Sequence, residues 1–143
     1  MLSLTCQTAI KAVIFLASKI ESDEKMGIPV IAAEIGASVH TVGKLLQTLV
    51  KADVIESSKG PTGGFYMTKA QLKQPILQIV MAIDGADVFK RCGLGLSKCA
   101  ATHPCPIHYD YKEVRDRFEQ LCKNRKIADL CAPLTEGVSF LIG

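Results

Sequence analysis

A chain of 143 residues is long enough for one hydrophobic core with an extended appendage and too short for two full domains. Hydrophobic residues at 48% and charged residues at 22% are ordinary globular values and exclude an intrinsically disordered chain. The formal charge of +3 does not by itself imply a nucleic-acid partner, and in residues 1–68 the lysines at 11, 19, 25, 44, 51 and 59 are balanced by Glu21, Asp23, Glu24, Glu34, Asp53 and Glu56, so such a function has to come from local arrangement.

The apolar run from Ala12 to Ala17 lacks a basic leading segment and a small-residue cleavage site, and no stretch approaches membrane-spanning length. The expectation is a soluble cytoplasmic protein with no membrane partner. Six cysteines without a secretion signal then argue for metal binding or redox chemistry over a disulfide scaffold, because a reducing compartment keeps thiols free.

Ala9, Ile10, Val13, Ile14, Ala17 and Ile20 recur at helical spacing and predict a first amphipathic helix over the first twenty residues. Pro29 suits the first turn of a short second helix that Gly36 breaks. Ser38 is placed as an N-cap, and Val42, Leu45, Leu46, Leu49 and Val50 follow at i, i+3, i+4, i+7 and i+8, predicting a third helix. Beyond Asp53 two β-leaning runs, VIES and FYMT, flank the turn SKGPTGG, which reads as a hairpin. A fourth helix is predicted from Leu72 to Ile83, with Asp84-Gly85 as its stop. Residues 88–104 show no period. Pro106 opens a long helix in which Ile107, Tyr111, Val114, Phe118 and Leu121 recur in heptad-like steps, a stripe that wants a partner helix. Residues 133–143 are apolar but predict no clear element.

A hairpin directly behind a helix-turn-helix is a wing. The fold class expected is mainly α with a small β-hairpin wing: a winged helix-turn-helix over residues 1–70, followed over 71–143 by a sensor loop and a long C-terminal dimerisation helix. The face of the third helix opposite its apolar stripe carries His40, Thr41, Lys44, Gln47 and Lys51, with no acid between Ser38 and Ala52. These side chains suit phosphates and base edges of double-stranded DNA, while Ser38 and the free amides of the helix start suit a phosphate oxygen. In the hairpin Ser57, Ser58, Lys59 and Thr62 reach toward backbone or minor groove, Lys59 foremost. Polar residues on the outside of any helix look similar, so the wing and the Gly36-Ala37-Ser38 turn carry the specificity of this reading.

Cys92, Cys99 and Cys105 lie in one loop, followed by His108, with Lys90, Arg91 and Lys98 beside them to favour thiolates. The spacing is unlike the tight Cys-x2-Cys pairs of structural zinc, and a loose Gly-bearing loop suits an iron-sulfur cluster. Zinc, redox-active thiols without metal, and a loop without a cofactor stay open as alternatives. Cys122 and Cys131 fall at helical positions near the seam and read as small buried hydrophobes, and His103 as a solvated loop residue or an outer partner. A cysteine-nucleophile enzyme is disfavoured, since only His103 and His108 lie near as bases and nothing resembles an oxyanion site.

The stretch SVHTVGKLLQTLVKADVIESSKGPTGGFYMT resembles the winged helix-turn-helix of the Rrf2 family of bacterial transcription regulators; QTAIKAVIFLAS and AAEIGAS resemble its preceding helices, and CPIHYDYKEVRDRFEQLCKNRKIADL its long dimerisation helix. The resemblance implies a homodimer on a roughly palindromic operator, with reading heads about one DNA turn apart. It also implies cluster ligands at Cys92, Cys99 and Cys105, the cluster being two-iron or four-iron. His108 resembles the nitrogen ligand used by the iron-sulfur-biogenesis member for a two-iron cluster. Nitric-oxide-sensing members take a four-iron cluster and an acid from the partner's first helix; here that position is Gln7 or Thr8, neither acidic, with Cys6 adjacent as a substitute. Where the family usually has a wing arginine this chain has Lys59, which is less suited than the arginine fork to a bidentate or deeply inserted minor-groove contact.

Overall fold

The computed structural model describes all residues, 1–143. Helix α1, Leu4–Ser18, is its hub: Ser3 caps it by accepting from the Cys6 amide at 3.0 Å, and α1 touches the second, third, fourth and sixth helices. A single 3-10 turn, Ile20–Ser22, follows. Helix α2, Ile28–Ile35, has Pro29 in its first turn and ends at Gly36, whose φ of +66° is the left-handed conformation that glycine adopts without a steric cost. Ala37 and Ser38 complete the turn into α3, Val39–Lys51. As the sequence predicts, Ser38 caps α3, its hydroxyl accepting from the Thr41 amide at 3.2 Å.

The wing is a two-stranded antiparallel hairpin, β1 (Glu56–Ser58) and β2 (Gly64–Tyr66), in the register Glu56–Tyr66, Ser57–Phe65, Ser58–Gly64. Its root is tied on the other edge: Met26 and Phe65 exchange both backbone hydrogen bonds, at 2.9 and 2.8 Å. Gly63 is obligatory in the turn, since a Cβ there would lie 2.3 Å from the Ser58 carbonyl oxygen.

The helix predicted from Leu72 to Ile83 is two pieces. A 3-10 turn at Gln71–Lys73 precedes α4, Leu77–Ile83, and Pro75 separates them, because a proline disfavours helical geometry in the residue before it. The long C-terminal helix spans the predicted apolar steps but ends before the stretch that resembles a dimerisation helix, residues 105–130, does. Helix α5, His108–Asn124, stops at Arg125, whose extended backbone turns the chain back. There the Ile76 amide donates to the Arg125 carbonyl and the Ile127 amide donates to the Gln74 carbonyl, both at 2.9 Å. A sixth helix, α6, Ile127–Thr135, returns to pack on α1. Its period (Ile127, Leu130, Cys131, Leu134) is visible in the sequence, with Pro133 inside the segment masking it.

Nineteen buried residues form the main core, drawn from α1, α2, α3 and the wing but also including Ile79 of α4 and Ile127 of α6. A second cluster, Cys6, Ile76, Val80, Val88, Phe89 and Cys122, joins α1, α4 and α5. Both clusters therefore cross the expected division at residue 70. Burying each of these large aliphatic side chains contributes about 1.5–3 kcal/mol. The predicted seam of α5 splits in two: Tyr111 and Phe118 are half-buried against the body, whereas Ile107, Val114 and Leu121, seven residues apart, are 37%, 49% and 51% exposed. No helix is long and apolar enough to cross a membrane.

Candidate nucleic-acid interface and cysteine centre

Helix α3 buries Val42, Leu45, Leu46 and Leu49 and leaves His40, Lys44, Gln47 and Lys51 exposed on the opposite side. Thr41 is half-buried, and its hydroxyl oxygen accepts a hydrogen bond from Ser38 at 2.8 Å, so it braces the helix start as well as facing outward. None of the lysines on this face is in a salt bridge, so their charge is available to a phosphate. A shallow groove beside the helix brings Thr5 of α1 next to His40, Thr41 and Lys44. Periodicity gives no hint of Thr5, because only packing brings it to this face. In the wing Ser58 is half-buried in the ladder opposite Gly64, while Lys59 and Thr62 are exposed on the turn.

The second site lies where the irregular segment after Phe89 meets the first turns of α5. Cys92, Cys105 and His108 are buried and Cys99 is half-buried. The four donors fall into two pairs. The Cys92 and Cys105 sulfurs are 3.6 Å apart, and the Cys99 sulfur is 3.3 Å from Nδ1 of His108. The amides of Leu94 and Leu96 hold the Cys92 thiol below its ordinary value, whereas burial pushes Cys105 up. Gly93 lies against the Tyr111 ring, which a Cβ would approach to 2.7 Å, and this fixes the loop on α5.

These pairs bear on which metal group the donors fit. Two thiolates on one tetrahedral metal, with bonds near 2.3 Å, stand about 3.7 Å apart, and a thiolate and an imidazole about 3.5 Å. Both pairs match that spacing. No three such groups converge on a point that a single ion could occupy. The candidate donors are thus arranged two and two.

Arg115 completes the site, and sequence reasoning missed it. It is on the buried face of α5, with Nη1 donating to the Arg91 carbonyl at 2.5 Å and lying 3.3 Å from the Cys99 sulfur. His108, Tyr111, Arg115, Phe118 and Cys122 share one helical face, but a hydrophobic count along the chain passes over a face carrying a histidine and an arginine.

The other cysteines are set apart. Cys122 is buried in the second cluster and its thiol is pushed up by burial; Cys131 is half-buried on α6, not beside the α5 seam, and donates to the Ala128 carbonyl at 3.3 Å. Cys6 corrects an expectation. It is fully buried beside Asp84 and Cys122, with its thiol pushed up to about 12, chiefly by burial, so it cannot reach across to a partner's cluster. Gln7 is exposed and Thr8 half-buried; His103 is exposed in the loop.

The family model of Rrf2, described as an iron-dependent transcriptional regulator, matches residues 2–133. The chain belongs to the Rrf2 family. An HTH-type transcriptional regulator of Aquifex aeolicus is 32% identical over 101 residues, covering 66% of this chain and 70% of that protein. CymR, the global cysteine regulator of B. subtilis, superposes with a TM-score of 0.74 at 17% identity, over 92% of this chain and 96% of the other. IscR of T. potens gives 0.73 at 16% identity, over 97% and 91%. As an Rrf2 protein this chain is a transcription regulator with a winged-helix fold and not an enzyme.

Proposed function

We propose that two copies of this Rrf2 regulator bind a palindromic DNA operator in the cytoplasm, with affinity set by an iron-sulfur cluster. Helix α3 enters the major groove, presenting Ser38, His40, Thr41, Lys44, Gln47 and Lys51, while Ser58, Lys59 and Thr62 of the wing lie along the backbone or the adjoining minor groove. Cys92, Cys99, Cys105 and His108 hold the cluster, the two-and-two donor pairs favouring the two-iron form. When bound, the cluster supplies a redox-active and chemically labile centre whose loss or modification changes the site.

The observation that carries this reading is that Cys92 and Cys99 of the loop pair with Cys105 and His108 at the start of α5, the helix whose Ile107, Val114 and Leu121 form an outward apolar stripe. Such a stripe, repeating every seven residues, fits the same stripe of a second copy. Because Cys105 and His108 would hold the cluster at the start of α5, its occupancy would bear on the angle between the paired helices and the spacing of the two α3 helices.

The test is anaerobic purification with iron and sulfide analysis, followed by operator titration with and without cluster. Two states differing by an allosteric coupling of ordinary size give affinities at least about fivefold apart. Equal affinity in both states, or a protein that stays monomeric and ignores duplex DNA at low salt, ends the proposal.

The 3.6 Å between Cys92 and Cys105 favours a second reading as a metal-free thiol switch. A peroxide or disulfide oxidant would take two electrons, each thiol losing its hydrogen as a sulfur–sulfur bond of about 2.05 Å forms. A colourless protein that loses two titratable thiols on oxidation and changes its operator affinity supports this reading over the cluster.

A further inference from the structure

We propose that Arg115 is a positioning residue for the cluster: it compensates the negative charge of the loaded site and, by donating to the Cys99 sulfur, biases the cluster toward its reduced form. This rests on the cluster reading above.

Arg115 is 6% exposed, which is unusual for a side chain that is always charged. A buried guanidinium is stable only when an anion or several acceptors surround it. The salt bridges of this protein, Lys112–Asp116, Arg117–Glu113 and Lys123–Glu119, are side-chain pairs one turn apart on α5, and none includes Arg115. Its acceptors are the Arg91 carbonyl at 2.5 Å and the Cys99 sulfur at 3.3 Å; its Nε is buried with no acceptor at all, and its Cζ lies 5.8 Å from the centre of the Tyr111 ring. The carbonyl and the ring hold the guanidinium in one orientation, and that orientation brings Nη1 to 3.3 Å from the Cys99 sulfur.

An uncompensated buried cation next to a candidate ligand sulfur marks where negative charge is expected. Three thiolates outweigh the positive charge of an oxidised two-iron core, and reduction adds one further negative charge. A fixed cation and an N–H···S hydrogen bond both favour that more negative state, and hydrogen bonds to ligand sulfurs are among the means by which proteins set cluster potentials. Arg91 contributes its backbone carbonyl, so the same guanidinium also ties the loop before Cys92 to α5.

The experiment loads wild-type protein, Arg115→Gln and Arg115→Lys anaerobically, counts iron and sulfide, and titrates the one-electron potential with dithionite as the reductant. The Gln variant is expected to hold the cluster but to show about a tenfold lower ratio of reduced to oxidised cluster at a given potential, ~59 mV more negative for one electron. The Lys variant, which keeps the charge, is expected to recover most of that change. An unmoved potential in a loaded Gln variant overturns the inference. Wild-type protein labelled with heavy nitrogen in arginine gives a reading that needs no variant to fold. Electron–nuclear double resonance of its reduced cluster is expected to show a coupled arginine nitrogen, and the absence of one overturns the inference. Wild-type protein that takes up no iron or sulfide overturns the cluster reading and this inference together, an outcome distinct from a loaded cluster with an unmoved potential.

Discussion

Helix α3 and the cysteine loop are held in place by different means. Val42, Leu45, Leu46 and Leu49 of α3 are each at most 2% exposed and belong to the nineteen-residue core, so the reading face follows from helical period and burial. From Lys90 to Ile107 only Cys92 and Cys105 are buried, and the segment is pinned by two donor pairs, the Arg115 guanidinium and the stacking of Gly93 on Tyr111. The reading head is therefore ordered whatever the donors hold, whereas the shape of the loop depends on its donors. The proposed sensing benefits from that division, because the element proposed to respond is the one with least packing of its own.

The sharpest way to break the contrast is Leu46→Ala. The cavity under α3 is expected to cost about 2–5 kcal/mol of global stability, measured by urea unfolding. An effect below 1 kcal/mol would mean that α3 does not rest on this core. Gly93→Ala probes the other region. The added methyl meets the Tyr111 ring and is expected to cost about 1–3 kcal/mol, while lowering iron uptake and leaving apo-protein binding to nonspecific duplex DNA unchanged. Equal loss of DNA binding in the apo state would show that loop and head are not separable.

Cys6, buried in the second cluster against α4 and α5, yields a pH dependence. Its folded thiol is raised from 9.0 to about 12 by burial and by Asp84, so the unfolded chain loses its proton first as pH rises. The stabilisation is fully present below pH 9 and is lost between 9 and about 12, at up to about 1.4 kcal/mol per pH unit. Cys6→Ala is expected to flatten that limb in denaturation curves followed at several alkaline pH values. The smallest effect is Ser38→Ala, which removes the α3 cap and costs about 1 kcal/mol, with weaker operator binding in a titration.

The helices that one pattern specifies were legible in sequence: α1, α2 and α3 from their apolar period, the turn from Gly36 and Ser38, and the wing from its glycines and Pro61. Where two signals compete, reading failed. Pro75 splits the predicted fourth helix, and Pro133 hides α6, although the α6 period continues through it. The proposed donors Cys92, Cys99, Cys105 and His108 were legible by residue type, since thiols and imidazole announce their chemistry wherever they stand. Arg115 was not, because an arginine on a charged helix looks solvated until its neighbours are known.

The amino-acid order alone determined the winged-helix scaffold, the polar face of α3 and the grouping of donors in one loop, because those depend on spacing along a few turns of chain. Only the tertiary structure decided that α5 ends at Asn124, that Ile107, Val114 and Leu121 face outward while Tyr111 and Phe118 face in, and that Arg115 lies against Cys99. The physical reason is that these outcomes depend on which segments far apart in the chain meet: the turn at Arg125 exists through its pairing with Gln74 and Ile76, and the phase of α5 through the surface that α4 and the cysteine loop present to it.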